Sequence, residues 1–225
     1  MIATSDIHKT YVDGETEVRA LRGVSLTVEP GEFLSIAGPS GSGKTTLLNI
    51  IGCIDTADSG TVVLDGVKMN GQSNKERAEL RRRKLGFVFQ SFNLIPVLTS
   101  YENVALVLSL LNLSKEETYR RTMALLAEVG LTGMEGRLPA KLSGGQQQRV
   151  AVARALVKEP LIVLADEPTA NLDSETGEGL LRLMEEMNEK NGTTFVFSTH
   201  DEMVMRHAKR LVLVHDGTIT EDKRQ

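Results

Sequence analysis

The sequence is poor in cysteine and in aromatic residues, and this limits the classes of protein to which it can belong. Its 225 residues include one cysteine, Cys53, and no tryptophan, and aromatic residues make up 4%. A single cysteine excludes an internal disulfide and is typical of a reducing compartment. With 40% hydrophobic and 25% charged residues, the composition is that of a globular chain, long enough for one domain or two closely joined lobes.

Long apolar segments are also missing. The most apolar stretch, residues 104–111, is far shorter than the roughly 20 residues that a helix needs to cross a bilayer. The N-terminus lacks the basic region and apolar core of a signal peptide. The chain stops soon after its last predicted strand, so we expect no C-terminal regulatory domain. We expect a cytoplasmic protein that acts at a membrane, if at all, as a separate peripheral subunit.

The sequence has no excess of positive charge. A net charge of −4 argues against a general nucleic-acid-binding protein, which would carry a basic excess. The local exception is the run Arg-Arg-Arg-Lys at residues 81–84. This run is either a solvated helix end or a contact site for phospholipid head groups or an acidic partner.

Strand and helix patterns alternate along the chain. Strands are predicted at residues 24–28, 33–37, 61–64 and 85–89, then at 161–164, 194–197 and 211–214. Residues 104–158 have a helical pattern, with a capping box predicted between Ser114 and Glu117. Short apolar strands separated by helices indicate a parallel sheet covered on both faces. We therefore predict an α/β core with an N-terminal antiparallel β subdomain and an inserted helical subdomain.

Residues 38–45 form a complete phosphate-binding loop between a predicted strand and a predicted helix. Its glycines let the backbone wrap around phosphate oxygens, so that successive N–H groups and the helix N-terminus point at one anion. Lys44 would reach the β- and γ-phosphates, while the Thr45 hydroxyl holds Mg²⁺. The predicted nucleotide-binding residues are Gly38, Pro39, Ser40, Gly41, Ser42, Gly43, Lys44, Thr45 and Thr46.

Two consecutive carboxylates, Asp166 and Glu167, follow the apolar strand at residues 161–165. In a phosphate-loop enzyme the acid at the strand's C-terminal end can hold Mg²⁺. The next residue, on the loop beyond the strand, can orient and deprotonate the attacking water. We therefore assign Asp166 to the metal and Glu167 to the general base.

A second glycine pair lies at the start of a predicted helix, residues 146–157. A capping box between Ser143 and Gln146 explains those two residues but not Gly144 and Gly145 between them. Paired glycines at a helix N-terminus leave N–H groups facing outward. The segment therefore predicts a second anion site in a chain that already has one.

This segment, Leu-Ser-Gly-Gly-Gln-Gln-Gln-Arg at residues 142–149, resembles the signature sequence of ATP-binding cassette proteins. In that family the second site binds the γ-phosphate of the ATP held by the opposite subunit, so that two chains sandwich two nucleotides. The resemblance implies ATP and Mg²⁺ as ligands and a homodimer. It also implies nucleotide contacts from Ser143, Gly144, Gly145, Gln146 and Asp173, the last in the D-loop at residues 170–173.

Three further residues match the family in order and setting. Gln90 corresponds to the glutamine that senses Mg²⁺ and the attacking water, and His200 to the switch histidine that contacts the γ-phosphate. Tyr11, expected in a short loop, corresponds to the aromatic residue that stacks on adenine. The implied catalytic residues are Lys44, Gln90, Glu167 and His200, and the implied metal site consists of Thr45, Gln90 and Asp166.

The resemblance covers residues 11–217 and is strongest with the lipoprotein-release, macrolide-export and cell-division ATPases, the LolD, MacB and FtsE types. It implies a single cassette, with a core lobe (1–91 and 159–225) and a helical subdomain (92–158). It further implies an ATPase that powers a separate permease from the cytoplasmic face of the inner membrane. A regulator of a cell-division or envelope complex, without solute transport, stays open, as does a cassette ATPase acting on DNA or ribosomes. The substrate is recognised by the membrane subunit in this family, so the sequence does not identify it.

The segment directly after Gln90 is unusually apolar, with six apolar residues in the seven positions 92–98. Part of this set is expected to pack under the helical subdomain. We expect the rest to line a groove that receives a short cytoplasmic helix of the permease.

Overall fold

The computed structural model describes residues 1–14 and 16–225. Strands in this part of the chain are β1 (Ile2–Asp13), β2 (Thr16–Val28), β3 (Phe33–Ala37), β4 (Ser59–Leu64), β5 (Val67–Lys68), β6 (Leu85–Phe89), β7 (Ile162–Asp166), β8 (Thr194–Thr199), β9 (Arg210–His215) and β10 (Thr218–Arg224). Helices are α1 (Lys44–Ile51), α2 (Asn74–Lys84), α3 (Ser100–Ser109), α4 (Lys115–Glu128), α5 (Gly144–Leu156), α6 (Ser174–Asn191) and α7 (Glu202–His207). A short 3₁₀ turn, Pro139–Lys141, precedes α5.

The strands form two sheets. An antiparallel sheet has the order β2-β1-β4-β5, and a six-stranded sheet has the order β10-β9-β3-β8-β7-β6. In the larger sheet β9, β3, β8, β7 and β6 run parallel, and β10 pairs antiparallel with β9. The predicted combination of a parallel sheet, an antiparallel β subdomain and an inserted helical region is confirmed.

The seven predicted strands coincide with all or part of β2, β3, β4, β6, β7, β8 and β9, whereas β1, β5 and β10 have no counterpart in the prediction. The first strand, β1, was not predicted, because its polar residues alternate irregularly and its ladder with β2 contains bulges. Tyr11 was expected in a loop, but it lies in β1, paired with Val18 of β2. The hairpin pairing of β1 with β2, from Asp13 opposite Thr16 outward, extends both strands beyond their apolar parts.

Two apolar clusters cover the two faces of the parallel sheet. One joins the sheet to α1 and the antiparallel strands, through residues such as Leu34, Ile51 and Val196. The other joins it to α3, α4, α5 and α6, and there Phe33 packs against Phe195 and Phe197 with ring centroids 5.5 and 4.7 Å apart. Burial on both faces explains why the parallel strands are uniformly apolar.

The helical region begins slightly earlier than its pattern indicated. Thr99 caps α3 through a capping box with Glu102, which is worth roughly 0.5–2 kcal/mol. The capping box predicted at Ser114 is only half formed: the Ser114 hydroxyl accepts from the Glu117 N–H at 3.2 Å. The Glu117 carboxylate does not turn back to the cap, because it pairs instead with Arg120 and Arg121.

The basic run at residues 81–84 ends α2 and is engaged within the chain. Arg82 and Arg83 pair with Glu79, and Lys84 pairs with Asp65. Arg81 donates to the main-chain carbonyl of Cys53. These contacts within the chain give the basic residues a structural role at the end of α2. Within the described residues, no helix is both long enough and apolar enough to span a bilayer.

A histidine joins the last helix, α7, to α6. His207 Nε2 lies 3.2 Å from Glu178 and its Nδ1 lies 3.0 Å from Glu185. Neutral imidazole donates from one nitrogen only, so both contacts are satisfied as hydrogen bonds only by the imidazolium. Burial disfavours that charge, but the hydrogen bonds and charges of the two carboxylates outweigh it and raise the pKa of His207.

This pairing predicts a pH-dependent contribution to stability. A histidine whose pKa is raised by folding stabilises the fold fully at pH values below its ordinary pKa of about 6.5. This contribution is lost as the pH rises through the raised pKa. The difference in Tm between the wild-type protein and His207→Gln should therefore shrink as the pH rises from about 6 to about 9. Arg182→Gln is the control, because Arg182 also contacts Glu178 but does not titrate there. A difference that stays constant with pH would contradict the prediction.

Candidate nucleotide site

The predicted site residues converge at one edge of the parallel sheet. The register pairs Ala37 with Thr199, Ser198 with Asp166, and Asp166 with Phe89. Parallel strands in register end at the same edge, so the residues that follow them emerge side by side. Those residues are Gly38, His200, Glu167 and Gln90.

The phosphate-binding loop is fixed by contacts that only glycine allows. A Cβ on Gly38 (φ 154°) would lie 2.1 Å from the Val214 carbonyl oxygen, and one on Gly43 (φ 104°) would lie 2.4 Å from that of Ala20. By contrast, Gly41 (φ 79°) has nothing within 4 Å of such a Cβ. The loop is thus held from behind while its outer turn stays open, as a phosphate cradle requires.

Lys44 supplies an ammonium group that lacks an anion within the described chain. Its side chain is 6% exposed, and Nζ donates to the carbonyls of Gly38 at 2.8 Å and Pro39 at 2.9 Å. Burial lowers the pKa of Lys44, and the charges of Glu167 and Asp166 partly offset that effect. A phosphate group would fit this position, because it brings the full negative charge that carbonyl dipoles lack.

Oxygen ligands suited to Mg²⁺ meet beside the loop. The Thr45 hydroxyl donates to Asp166 Oδ1 at 3.2 Å, joining the start of α1 to the end of β7. A hydroxyl, one carboxylate and phosphate oxygens are ligands that Mg²⁺ prefers, with water completing the shell. The residues present therefore fit the predicted metal at Thr45 and Asp166. The third predicted metal residue, Gln90, follows the adjacent strand and is exposed.

Glu167 is held in a strained and well-defined position. Its backbone has φ 47°, a conformation that costs a non-glycine residue about 1–3 kcal/mol, and its N–H donates to the Ser198 carbonyl at 2.9 Å. The carboxylate accepts from the Thr199 hydroxyl at 3.0 Å and lies 2.7 Å from His200 Nδ1. The predicted base and the predicted switch histidine are thus in direct contact.

Two side-chain bridges join this edge to the neighbouring loops. Asn171 Nδ2 donates to the Gln90 carbonyl at 2.9 Å, which connects the D-loop to the segment after β6. Gln148 Nε2 donates to the carbonyls of Pro168 at 2.7 Å and Phe89 at 3.3 Å. The first bridge lies between two motifs that were predicted, whereas the second uses a residue that was not.

Sequence reasoning missed Gln148 as a site residue. It is fully buried, and its Oε1 has no hydrogen-bond partner in the described structure. An unsatisfied buried acceptor costs roughly 1–3 kcal/mol, which the two carbonyl contacts offset. The available signal was a glutamine that shares one helix face with Ala151, Val152 and Ala155.

The second glycine pair begins α5, as predicted. Ser143 and Gln146 form a complete capping box, and the helix starts at Gly144. A Cβ on Gly145 would lie 2.3 Å from Thr176 Cγ2 of α6, whereas one on Gly144 would meet nothing nearer than 3.7 Å. Close packing therefore requires Gly145, and Gly144 leaves the helix N-terminus open.

Asp173 and Thr176 hold this packing in place. The Asp173 side chain caps α6 by accepting from the Thr176 N–H at 3.0 Å and its hydroxyl at 2.7 Å. These hydrogen bonds lower the pKa of Asp173. The D-loop aspartate thus orients the side chain that lies against Gly145.

Tyr11 lies beside the start of α1. Its hydroxyl donates to Asp55 Oδ2 at 2.6 Å, and Lys9 Nζ lies 5.1 Å from the ring centroid. Burial and the hydrogen bond to Asp55 raise the pKa of Tyr11. The ring is 41% exposed, so it is available as a base-stacking platform. That role stays a prediction.

The fold and this edge of the sheet define a phosphate-loop nucleotide-binding cassette. A profile of the ABC transporter family matches residues 21–170, and the chain belongs to that family. Members of this family are ATP-hydrolysing cassettes, and ATP with Mg²⁺, the usual ion of these ATPases, is their ligand. The predictions of the family, the activity and the ligands are confirmed.

Individual relatives agree with this assignment. The chain is 48% identical over 221 residues to the macrolide export ATP-binding/permease protein MacB of Syntrophobacter fumaroxidans, covering 97% of this chain and 31% of that protein. It is 46% identical over 228 residues to the ABC transporter ATP-binding protein MJ0796 of Methanocaldococcus jannaschii, covering 100% and 97%. The chain therefore spans about a third of the length of the MacB relative.

Solved structures show the same fold. The chain matches the dimeric post-hydrolysis structure of the ATP-binding cassette MJ0796 bound to ADP and Pi with a TM-score of 0.92, at 46% identity and covering 100% and 98% of the two chains. A second dimeric structure of that cassette matches equally well. These comparisons place the chain among ABC transporter cassettes that are similar to the ATP-binding part of MacB and to MJ0796.

Proposed function

We propose that the chain is the ATP-hydrolysing subunit of a membrane permease complex and works by ATP-driven homodimerisation. The observation that carries the proposal is that two glycine-rich helix N-termini, each suited to an anion, lie apart in one chain. The phosphate loop packs against Ala20 and Val214, whereas the start of α5 packs near Phe92, Asn171 and Leu172. Two copies facing each other would bring the α5 site of one to the phosphate loop of the other, consistent with the dimers of MJ0796.

We assign the residue roles from their positions together with the resemblance to the family. Glu167 accepts the proton of the attacking water, and His200 and Thr199 hold its carboxylate in place. Lys44 binds the β- and γ-phosphates, and Ser143, Gly144, Gly145 and Gln146 bind the nucleotide of the facing copy. Thr45, Asp166 and Gln90 would hold Mg²⁺, which would supply positive charge beside the phosphates. Tyr11 stacks on the adenine.

A separate permease is the second part of the proposal. The MacB relative is named as a combined ATP-binding and permease protein, and the chain matches its ATP-binding third. We infer that the permease partner of this chain docks at residues 92–98, so that the chain lies on the cytoplasmic face of the inner membrane. Export, lipoprotein release and mechanical transmission without transport all use this arrangement.

Removal of the general base tests the catalytic assignment. Glu167→Gln should lower ATP turnover by about 10²–10⁴-fold while ATP binding is kept, so the ATP-bound dimer should accumulate. Light scattering after size-exclusion chromatography, with and without ATP, measures this. Glu186→Gln is the matched control, because it makes the same carboxylate-to-amide change at an exposed position of α6. A Glu167→Gln protein that stays monomeric with ATP would count against the dimer.

Two further variants separate the anion sites. Lys44→Ala should weaken ATP binding by the monomer, because it removes the buried ammonium. Ser143→Arg should leave monomer binding intact and abolish hydrolysis, because it puts bulk and charge into the site for the facing copy. Fluorescent-nucleotide titration and phosphate release measure the two effects, with Ser143→Thr as a control that keeps the N-cap hydroxyl. If Lys44→Ala and Ser143→Arg weaken ATP binding by the monomer equally, the two sites contact the same nucleotide and the proposal is wrong.

Residues 92–98, the proposed docking site for the permease, contain one position where a charge can be introduced without disturbing the core. Val97 is 78% exposed, whereas Leu94 packs against the core, so a charge at Leu94 would disturb folding. Val97→Glu should abolish co-purification with the permease while the isolated chain still hydrolyses ATP. Val97→Ala, which keeps the apolar character, should retain most of the binding. Normal co-purification of Val97→Glu would place the docking site elsewhere.

A further inference from the structure

Two partly buried cations lie one helical turn apart at the end of α5, and both are bonded to main-chain carbonyls. Arg154 donates to the carbonyls of Phe92 at 2.8 Å and Asn93. Lys158 Nζ donates to the carbonyls of Arg81 at 2.8 Å and Arg82 at 2.9 Å. Within the part of the chain that the structure describes, neither cation forms an ion pair with a carboxylate.

This arrangement leaves both charges incompletely compensated. Burial lowers the pKa of Lys158 to about 8 and also lowers the pKa of Arg154. Carbonyl dipoles do not replace a counter-charge, and a desolvated cation is normally paired with a carboxylate. An ammonium has three donors and a guanidinium five, so each group keeps N–H donors beyond those given to carbonyls. By contrast, Arg210, which is also partly buried, pairs with Glu32 and Asp222.

Both cations face the same groove. The groove has a volume of about 240 Å³ and runs along the outer edge of β6. Among the described strands, β6 pairs with β7 alone, so its outer edge carries no further strand. Its apolar wall contains Phe87 and Phe89, whose parallel rings have centroids 5.9 Å apart. The lining is Leu85, Gly86, Phe87, Phe89, Asn93, Val107, Arg154, Ala155 and Lys158.

We propose that the docking segment of the permease places an Asp or Glu side chain in this groove, where its carboxylate pairs with Arg154 and Lys158. This inference rests on the proposed function, because it assigns chemistry to the permease segment that docks at residues 92–98. Charge complementarity identifies the occupant: the groove offers two uncompensated cations beside aromatic rings, which suits a short amphipathic helix with one acidic residue. The groove is continuous with residues 92–98 of this chain, because Arg154 donates hydrogen bonds to the carbonyls of Phe92 and Asn93.

The position also connects the carboxylate to the nucleotide edge. Phe92 and Asn93 have φ values of 61° and 49°, a strained conformation that Arg154 stabilises through their carbonyls. They follow Gln90, whose own carbonyl accepts from Asn171 of the D-loop. A partner carboxylate that draws Arg154 toward itself would weaken the hold on Phe92 and Asn93, two and three residues from Gln90.

A zero-length cross-link tests the contact directly. The complex of this chain with its membrane partner is purified in detergent and treated with a water-soluble carbodiimide, which joins an amine to a carboxylate only when the two are in contact. Peptide mass spectrometry should find an amide between Lys158 Nζ and an Asp or Glu of the membrane protein. In Lys158→Arg the cation is kept but the amide cannot form, so the cross-link should vanish while the yield of the complex is retained.

Charge reversal gives a second, independent measurement. Arg154→Glu should lower the yield of the complex by about tenfold or more, and Arg at the cross-linked acidic position of the permease should restore it. Thermal melts of the isolated variants report whether they fold. The expected cross-link supports the proposal even if Arg154→Glu does not fold, because the Lys158 experiment uses the wild-type chain.

The outcomes separate this inference from the proposed function. If a membrane protein co-purifies but Lys158 forms no amide with it, and Arg154→Glu binds it normally, the acidic contact is wrong and the permease assignment stands. If no membrane protein co-purifies, both are wrong. Flotation of the isolated chain with phosphatidylglycerol vesicles that depends on Arg154 and Lys158 would identify a lipid head group as the occupant and overturn the proposal.

Discussion

The register of the parallel strands is the constraint on which the site depends. Hydrogen bonds between β3, β8, β7 and β6 align the last residues of these strands. The phosphate loop, His200, Glu167 and Gln90 are far apart in sequence, and they become neighbours only because each directly follows an aligned strand. Since side chains alternate between the faces of a strand, a one-residue slip would exchange the side chains that the two apolar clusters receive. Each cluster packs its own set of side chains, so such a slip would disrupt the packing on both faces of the sheet.

Buried or partly buried cations without a carboxylate partner in the described part of the chain lie at the nucleotide site and at the proposed docking groove. Lys44 is bonded to the carbonyls of its own loop, and Arg154 and Lys158 are bonded to carbonyls beside β6. In both places carbonyl dipoles hold the cation in position without cancelling its charge, so an incoming anion gains the full attraction. Arg210 shows the structural alternative, in which two carboxylates already compensate the charge.

Hydrogen bonds from side chains to main-chain carbonyls position the loops around the nucleotide edge. Gln148 reaches Pro168, Asn171 reaches Gln90, and Arg154 reaches Phe92. Such bonds are directional and short in range, so a small shift of one loop breaks them or transfers them to another acceptor. Apolar packing between α3, α4, α5 and the sheet supplies the stability. The polar bridges determine how the loops are positioned.

The sequence by itself determined the features that depend on local chemistry. Glycine spacing identified the phosphate loop, apolar runs located the parallel strands, and the capping residues located the start of α5, because each property is set within a few residues. The predicted role of Glu167 came from its position directly after an apolar strand, those of His200 and Tyr11 came from resemblance to the family, and the contacts of all three were supplied by the structure. Tertiary structure alone decided the long-range features: Gly145 packed on Thr176, Gln148 between two loops, and two cations that have no carboxylate partner among the described residues. These depend on contacts between segments that no local pattern relates, such as the bridge between Asn171 and Gln90, which are 81 positions apart.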